Sequence, residues 1–186
     1  MSVPYNPLRG PRVELRAPEP EDRALLQRWL SDPEVMRFNE VRYPRSLAEL
    51  QAEPPATVTY EHAAFAVWDV EAGRRIGESW LKVPAPENRA AEFGILLGPQ
   101  GRGRGLGAET TWLTCRFGFE MMNLRRIELR VLAENERASA LYQRLGFQRE
   151  GRLRDSAYFA GRYEDVLVMS LLAGELGPPP WETTSG

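Results

Sequence analysis

The residues with the clearest chemical use are Arg102-Gly103-Arg104-Gly105-Leu106-Gly107. The apolar run 93–97 before them reads as a buried strand. Residues 108–122 after them hold no proline and place Trp112, Cys115, Phe119 and Met122 at helical spacing. The order is strand, glycine turn, helix. Glycines accept positive φ and let a ligand approach the backbone, and a helix start offers unpaired N–H groups to phosphate. Arg102 and Arg104 would add positive charge. The spacing predicts a pyrophosphate cradle.

Two other readings stand beside it. Gly103-x-Gly105-x-x-Ala108 also fits a dinucleotide-binding turn, but several elements precede it, and Glu128 falls inside the next strand rather than at its end. A basic, solvated turn would not need three alternate glycines, which carry an entropic cost. No Gly-Lys-Ser/Thr follows, so a Walker-type loop is excluded.

Proton-transfer candidates are few. Glu92 lies on the strand entering the turn, flanked by Ala91 and Phe93, and is a candidate base, directly or through water. A solvent-facing strand carboxylate is the competing reading, and Glu78 on the neighbouring strand is the alternative base. His62 is the only histidine and Cys115 the only cysteine. No metal site is expected, and Cys115 reads as core rather than nucleophile. Trp29, Trp68 and Trp112 read as core, and Trp80 as a groove candidate.

The elements that must position these groups follow from periodicity. Residues 13–16 alternate as a short strand, 21–30 form an amphipathic helix, and Asp32-Pro33 opens a further helical turn. Residues 46–51 suggest a short helix, with Pro54-Pro55 interrupting. Strands at 63–70, 75–83 and 90–97 form an antiparallel meander. Beyond the turn helix come a strand at 126–132, a helix at 135–145 closed by Gly146, and strands at 147–154 and 166–172. The expectation is one α/β (α+β) domain with a mixed, mostly antiparallel sheet and helices on both faces. Its core spans about 13–172, with a loosely attached N-terminal arm and a fraying tail at 177–186.

Composition narrows the classes. The 186 residues are 42% hydrophobic and 27% charged, with a net charge of −2, which argues against a general nucleic-acid binder. A single cysteine fits a reducing compartment. No apolar run matches a membrane span, and the N-terminus lacks a signal-peptide core. A cytoplasmic protein is expected.

A second motif, Asn135-Glu136-Arg137-Ala138-Ser139-Ala140-Leu141-Tyr142-Gln143-Arg144-Leu145-Gly146-Phe147, joins the first. Together with Arg102-x-x-Gly105-x-Gly107 it resembles the GNAT superfamily of N-acetyltransferases. The stretches from Leu15-Arg16 to Asp32-Pro33-Glu34-Val35-Met36 and from Glu150-Gly151-Arg152 to Tyr163-Glu164-Asp165 resemble its RimJ/RimL branch of ribosomal-protein N-terminal acetyltransferases. The register Gln100-x-x-Gly103-x-Gly105 also fits the loop; the later one aligns Gly107-Ala108-Glu109 with the family's helix start.

The resemblance implies acetyl-coenzyme A wedged between strands 90–97 and 126–132. Backbone near Ile95, Leu96 and Leu97 would hold pantetheine and acetyl group, and N–H groups of Arg102, Gly103, Arg104, Gly105, Leu106 and Gly107 the pyrophosphate. It implies Tyr142 as general acid to the leaving thiolate, with Asn135 and Ser139 contacting the coenzyme. On helix spacing alone Tyr142 reads as core, Asn135 as a helix cap, and Ser139 has a similar double reading. The implied acceptor is a protein N-terminal amine, with an antibiotic or polyamine as the alternative. A coenzyme A-binding sensor without turnover is a second class, and a nicotinamide oxidoreductase a third. A monomer or homodimer is expected, with no nucleic-acid or membrane partner.

Overall fold

A computed structural model describes residues 6–53 and 59–182. Seven strands form one mixed sheet in the order β1-β2-β3-β4-β5-β7-β6. They are β1 Val13–Arg16, β2 His62–Asp69, β3 Arg74–Ala85, β4 Ala90–Leu97, β5 Arg126–Leu132, β6 Gln148–Phe159 and β7 Arg162–Leu172. Among the described residues five α-helices accompany them: α1 Arg23–Leu30, α2 Pro33–Phe38, α3 Leu47–Ala52, α4 Leu106–Glu120 and α5 Glu136–Arg144.

All strand pairs are antiparallel except β4 with β5. That parallel ladder holds only three register pairs, Ala90↔Arg126, Ala91↔Ile127 and Glu92↔Glu128. Beyond Glu92 the two strands part, while β4 stays paired to β3 as far as Leu97↔Gly77. The sheet therefore opens at its middle.

Helices cover both faces. Phe65, Leu81, Phe93, Ile127 and Met169 pack on one side with Leu113 of α4 and Tyr142 of α5. Burying each large apolar side chain contributes about 1.5–3 kcal/mol. On the other side Leu26 and Trp29 of α1 and Val35 of α2 pack with Leu96 and Trp80. Asp32 starts α2 by accepting from the N–H groups of Glu34 (3.1 Å) and Val35 (3.0 Å), with Pro33 at the first helical position. Ser46 and Glu49 form a capping box at α3.

Helix α4 begins at Leu106, two residues before the expected 108, because Gly105 adopts φ 77° as its N-cap. Its buried face includes Thr110, Thr111 and Thr114, whose hydroxyls donate to the carbonyls of Leu106, Gly107 and Thr110. Thr114 Oγ1 also meets Ser79 Oγ at 2.9 Å. Polar side chains thus seat this helix on β3, which an apolar spacing rule does not reveal.

Strands β6 and β7 run longer than the expected 147–154 and 166–172. Register shifts between Arg149 and Gly151 and between Leu153 and Ala157 break the alternation that marks a strand. Described residues of the arm and tail also make contacts. Leu15 N–H donates to Leu8 O at 2.8 Å. Trp181 packs edge-on against Trp112 at 5.0 Å, and Trp112 Nε1 donates to Gly177 O. Pro54-Pro55 lies outside the described residues.

Candidate active site

The parting of β4 and β5 opens into a cleft of about 1390 Å³ that continues across the sheet to α1 and α2. One half is lined by the glycine loop, β4 and the start of α5; the other by α1, α2 and β3.

Gly103 and Gly105 both take positive φ, 74° and 77°. Gly103, Gly105 and Gly107 line the cleft, whereas Arg104 and Leu106 do not. The Leu106 side chain is fully buried in the core. The guanidinium of Arg104 turns outward to the buried Asp69, with Glu71 at 3.8 Å. Burial opposes the Asp69 charge, but the Ala72 N–H and Arg104 outweigh it and hold the carboxyl below its usual range. Arg102 lines the cleft yet donates to Leu97 O (3.0 Å), Asp32 (2.7 Å) and Glu34 (2.9 Å). The positive charge that Arg102 and Arg104 were expected to add is thus engaged in ion pairs. Both arginines staple the loop to its neighbours. The loop's backbone N–H groups, at the start of a 15-residue helix, remain suited to phosphate. Arg130 and Arg137 also line the cleft, and among the described residues neither forms an ion pair. Sequence reasoning passed over both, although Arg137 lies inside the second motif.

Ile95, Leu96 and Leu97 line the next part of the cleft. Past Glu92 the β4 edge that faces β5 has no strand partner, so its N–H and C=O groups can bond an extended amide-bearing ligand. The Leu97 carbonyl is already engaged by Arg102. On the opposite face Trp80 lies directly over Gly94, where a Cβ would come within 2.1 Å of the indole. Trp80 lines the cleft there.

Tyr142 lines the same cleft and is only 8% exposed. Its ring is met edge-on by Phe93 at 6.3 Å and at a tilt by Phe147 at 5.7 Å. Burial, with a contribution from Cys115, pushes its phenol well above the ordinary value. Among the described residues no protein group hydrogen-bonds its hydroxyl. Asn135 caps α5, its Oδ1 accepting from Ala138 N–H at 3.1 Å, and also lines the cleft. Ser139 does not line it; its hydroxyl donates to Glu136 O in its own helix. Cys115 is fully buried, which raises its thiol and removes it from solvent.

The two candidate bases differ in setting. Glu92 lines the cleft where the parallel ladder ends, but its side chain is exposed rather than enclosed. The enclosed carboxylate is Glu78. It sits opposite Leu96, is 25% exposed, and is bonded by Arg75, which also reaches Asp22 at 3.1 Å. Burial raises Glu78 and outweighs the opposing pull of Arg75. The burial that raises a carboxyl is thus found at Glu78, on the strand beside Glu92.

A model of the GNAT acetyltransferase domain matches residues 12–148. The chain belongs to the GNAT acetyltransferase family. It is 33% identical over 170 residues to the uncharacterized N-acetyltransferase p20 of Bacillus licheniformis, spanning 88% of this chain and 94% of that one. It is 32% identical over 88 residues to Bacillus subtilis YdaF, provisionally named a ribosomal N-acetyltransferase, spanning 47% and 48%. The crystal structure of spermidine N-acetyltransferase from Vibrio cholerae with CoA and spermine superposes with a TM-score of 0.82 at 28% identity. That match covers 89% of this chain and 98% of the other. This GNAT enzyme is an N-acetyltransferase using acetyl-coenzyme A as co-substrate, and the splayed strands and glycine loop fit that molecule's pantetheine and pyrophosphate.

Proposed function

We propose that this enzyme acetylates the α-amine of a protein N-terminus by direct attack within a ternary complex. Acetyl-coenzyme A supplies an acetyl carbon activated as a thioester. The amine nitrogen forms a bond to that carbon as the C–S bond breaks. Glu78, directly or through water, takes the proton the amine loses, and Tyr142 gives its phenolic proton to the departing thiolate. Backbone N–H groups of the loop and of β4 orient the donor, so positioning supplies much of the acceleration.

One observation carries the choice of acceptor. Most carboxylates on the acceptor side are paired with arginines: Asp22 and Glu78 with Arg75, Glu34 with Arg102, Glu40 with Arg42, and Glu53 with Arg45 and Arg23. A site whose acids are largely paired in this way, with Leu26, Val35 and Trp80 between, suits one amine and an uncharged chain. An α-amine, with pKa ~8, is partly neutral near pH 7 and asks little of the base.

A polyamine acceptor is the second reading, favoured by the likeness to the Vibrio cholerae enzyme that holds spermine. Glu19 lines the cleft with no ion pair among the described residues and would serve a second cation, whereas Glu40 is paired with Arg42 at 3.3 Å. Glu49 and Glu61 do not line the cleft. Initial rates with unblocked N-terminal peptides of ribosomal proteins and with spermidine, at equal concentration, separate the two. Higher kcat/KM for peptides supports the first reading, and higher kcat/KM for spermidine replaces it with the second.

A further inference from the structure

We propose that Arg12, held in place by Glu109, is a positioning residue for the glycine loop. It fixes the Arg104–Gly105 peptide so that the Gly105 N–H faces the cleft. The proposal rests on reading that loop as the pyrophosphate site.

Glu109 lies in the first turn of α4 and is 1% exposed. Its Oε1 accepts from the backbone N–H groups of Arg12 (2.8 Å) and Val13 (2.9 Å), and its Oε2 from Arg12 Nε (3.3 Å). A buried carboxylate needs such partners, and here all three come from the start of β1. The approach is close enough that a Cβ on Gly10 would lie 2.5 Å from Glu109 Oε1. With its stem fixed, Arg12 extends one guanidinium nitrogen to Arg104 O at 2.9 Å. The other lies 3.3 Å from where a Gly105 Cβ would stand.

The consequence is stereochemical. No described peptide bond is cis, and in a trans peptide the carbonyl and the following N–H point in opposite directions. Tying Arg104 O outward to Arg12 therefore turns the Gly105 N–H inward, where Gly105 lines the cleft. The Arg104 side chain, fastened to Asp69, holds the same peptide from a second point. A loop with glycines at 103 and 105 would otherwise sample many conformers, and ordering them on binding would weaken affinity. Arg12 removes that freedom in advance without touching the coenzyme.

The test compares two acetyl donors, acetyl-coenzyme A and S-acetylpantetheine, which carries the same thioester but no pyrophosphate. For Arg12→Met, kcat/KM with acetyl-coenzyme A should fall about tenfold, through KM, while its kcat and the S-acetylpantetheine rates stay within about twofold of the parent. Arg12→Lys, which can still reach one carbonyl, should recover part of the loss. Glu109→Gln should show a smaller loss with the same donor selectivity. Equal losses with both donors, or no loss, would overturn the positioning role, and the lysine and glutamine variants decide it should the methionine variant not fold. A parent enzyme that uses both donors equally well would instead sink the pyrophosphate reading of the loop.

Discussion

A guanidinium nitrogen of Arg102 lies 2.7 Å from Asp32 Oδ1, joining the glycine loop to the residue that caps α2. The walls meant for donor and acceptor are thus one connected structure. The same carboxylate oxygen also receives the Glu34 and Val35 N–H groups.

Asp32→Ala should destabilise the protein by about 1–2 kcal/mol at neutral pH, through loss of a helix cap and a partly exposed ion pair. Burial works against the Asp32 charge, but Arg102 and the two N–H groups prevail and lower its pKa below the ordinary 3.8. The folded state then binds fewer protons than the unfolded one. The stabilisation is therefore present above 3.8 and lost as pH falls through the lower, folded value. Urea titrations at about pH 7 and pH 3 check this: the gap between parent and variant should narrow at the acid end. A gap independent of pH would show that the charge has no part in it.

Tyr142→Phe should lower kcat about a hundredfold while leaving stability and acetyl-coenzyme A affinity nearly unchanged. The ring keeps its contacts with Phe93 and Phe147, and only the hydroxyl is lost. Single-turnover rates beside calorimetric titration separate the two effects. An unaltered rate would return the tyrosine to a packing role.

Much of this arrangement is legible in the amino-acid order. Strands β4 and β5 match their expected bounds because a largely apolar run and an alternating one each end at a clear turn, and Asn135 caps α5 where its type and place suggest. The parting of β4 and β5 came from family resemblance, since no local pattern reports where a parallel ladder stops. The partners of Arg102 and Arg104 were not legible at all. Asp32 and Asp69 lie 70 and 35 positions away along the chain, and only the fold brings them to the loop. The same limit hid the contrast between Glu92 and Glu78. Both alternate correctly along their strands, but enclosure depends on Arg75 and the helices above.

Glu78→Gln should change the shape of the pH profile as well as its height. The acceptor amine must lose a proton for attack, which gives one acid limb. Glu78, raised above 4.5 by burial that outweighs Arg75, must be ionised to serve as base, which adds a second at lower pH. In the parent enzyme, log kcat/KM should steepen toward a slope of two protons at the acid end; the variant should keep a slope of one. Identical profiles would transfer the base to Glu92 or to solvent.

The most direct test is a two-substrate rate measurement. Free thiol released from acetyl-coenzyme A is followed while donor and amine concentrations are both varied. Direct attack in a ternary complex requires reciprocal plots that intersect, and that is the expected result, since Cys115 is fully buried and no other thiol exists in the chain. Parallel plots would reveal an acetyl-enzyme formed before the amine binds and would contradict the mechanism drawn from Glu78 and Tyr142.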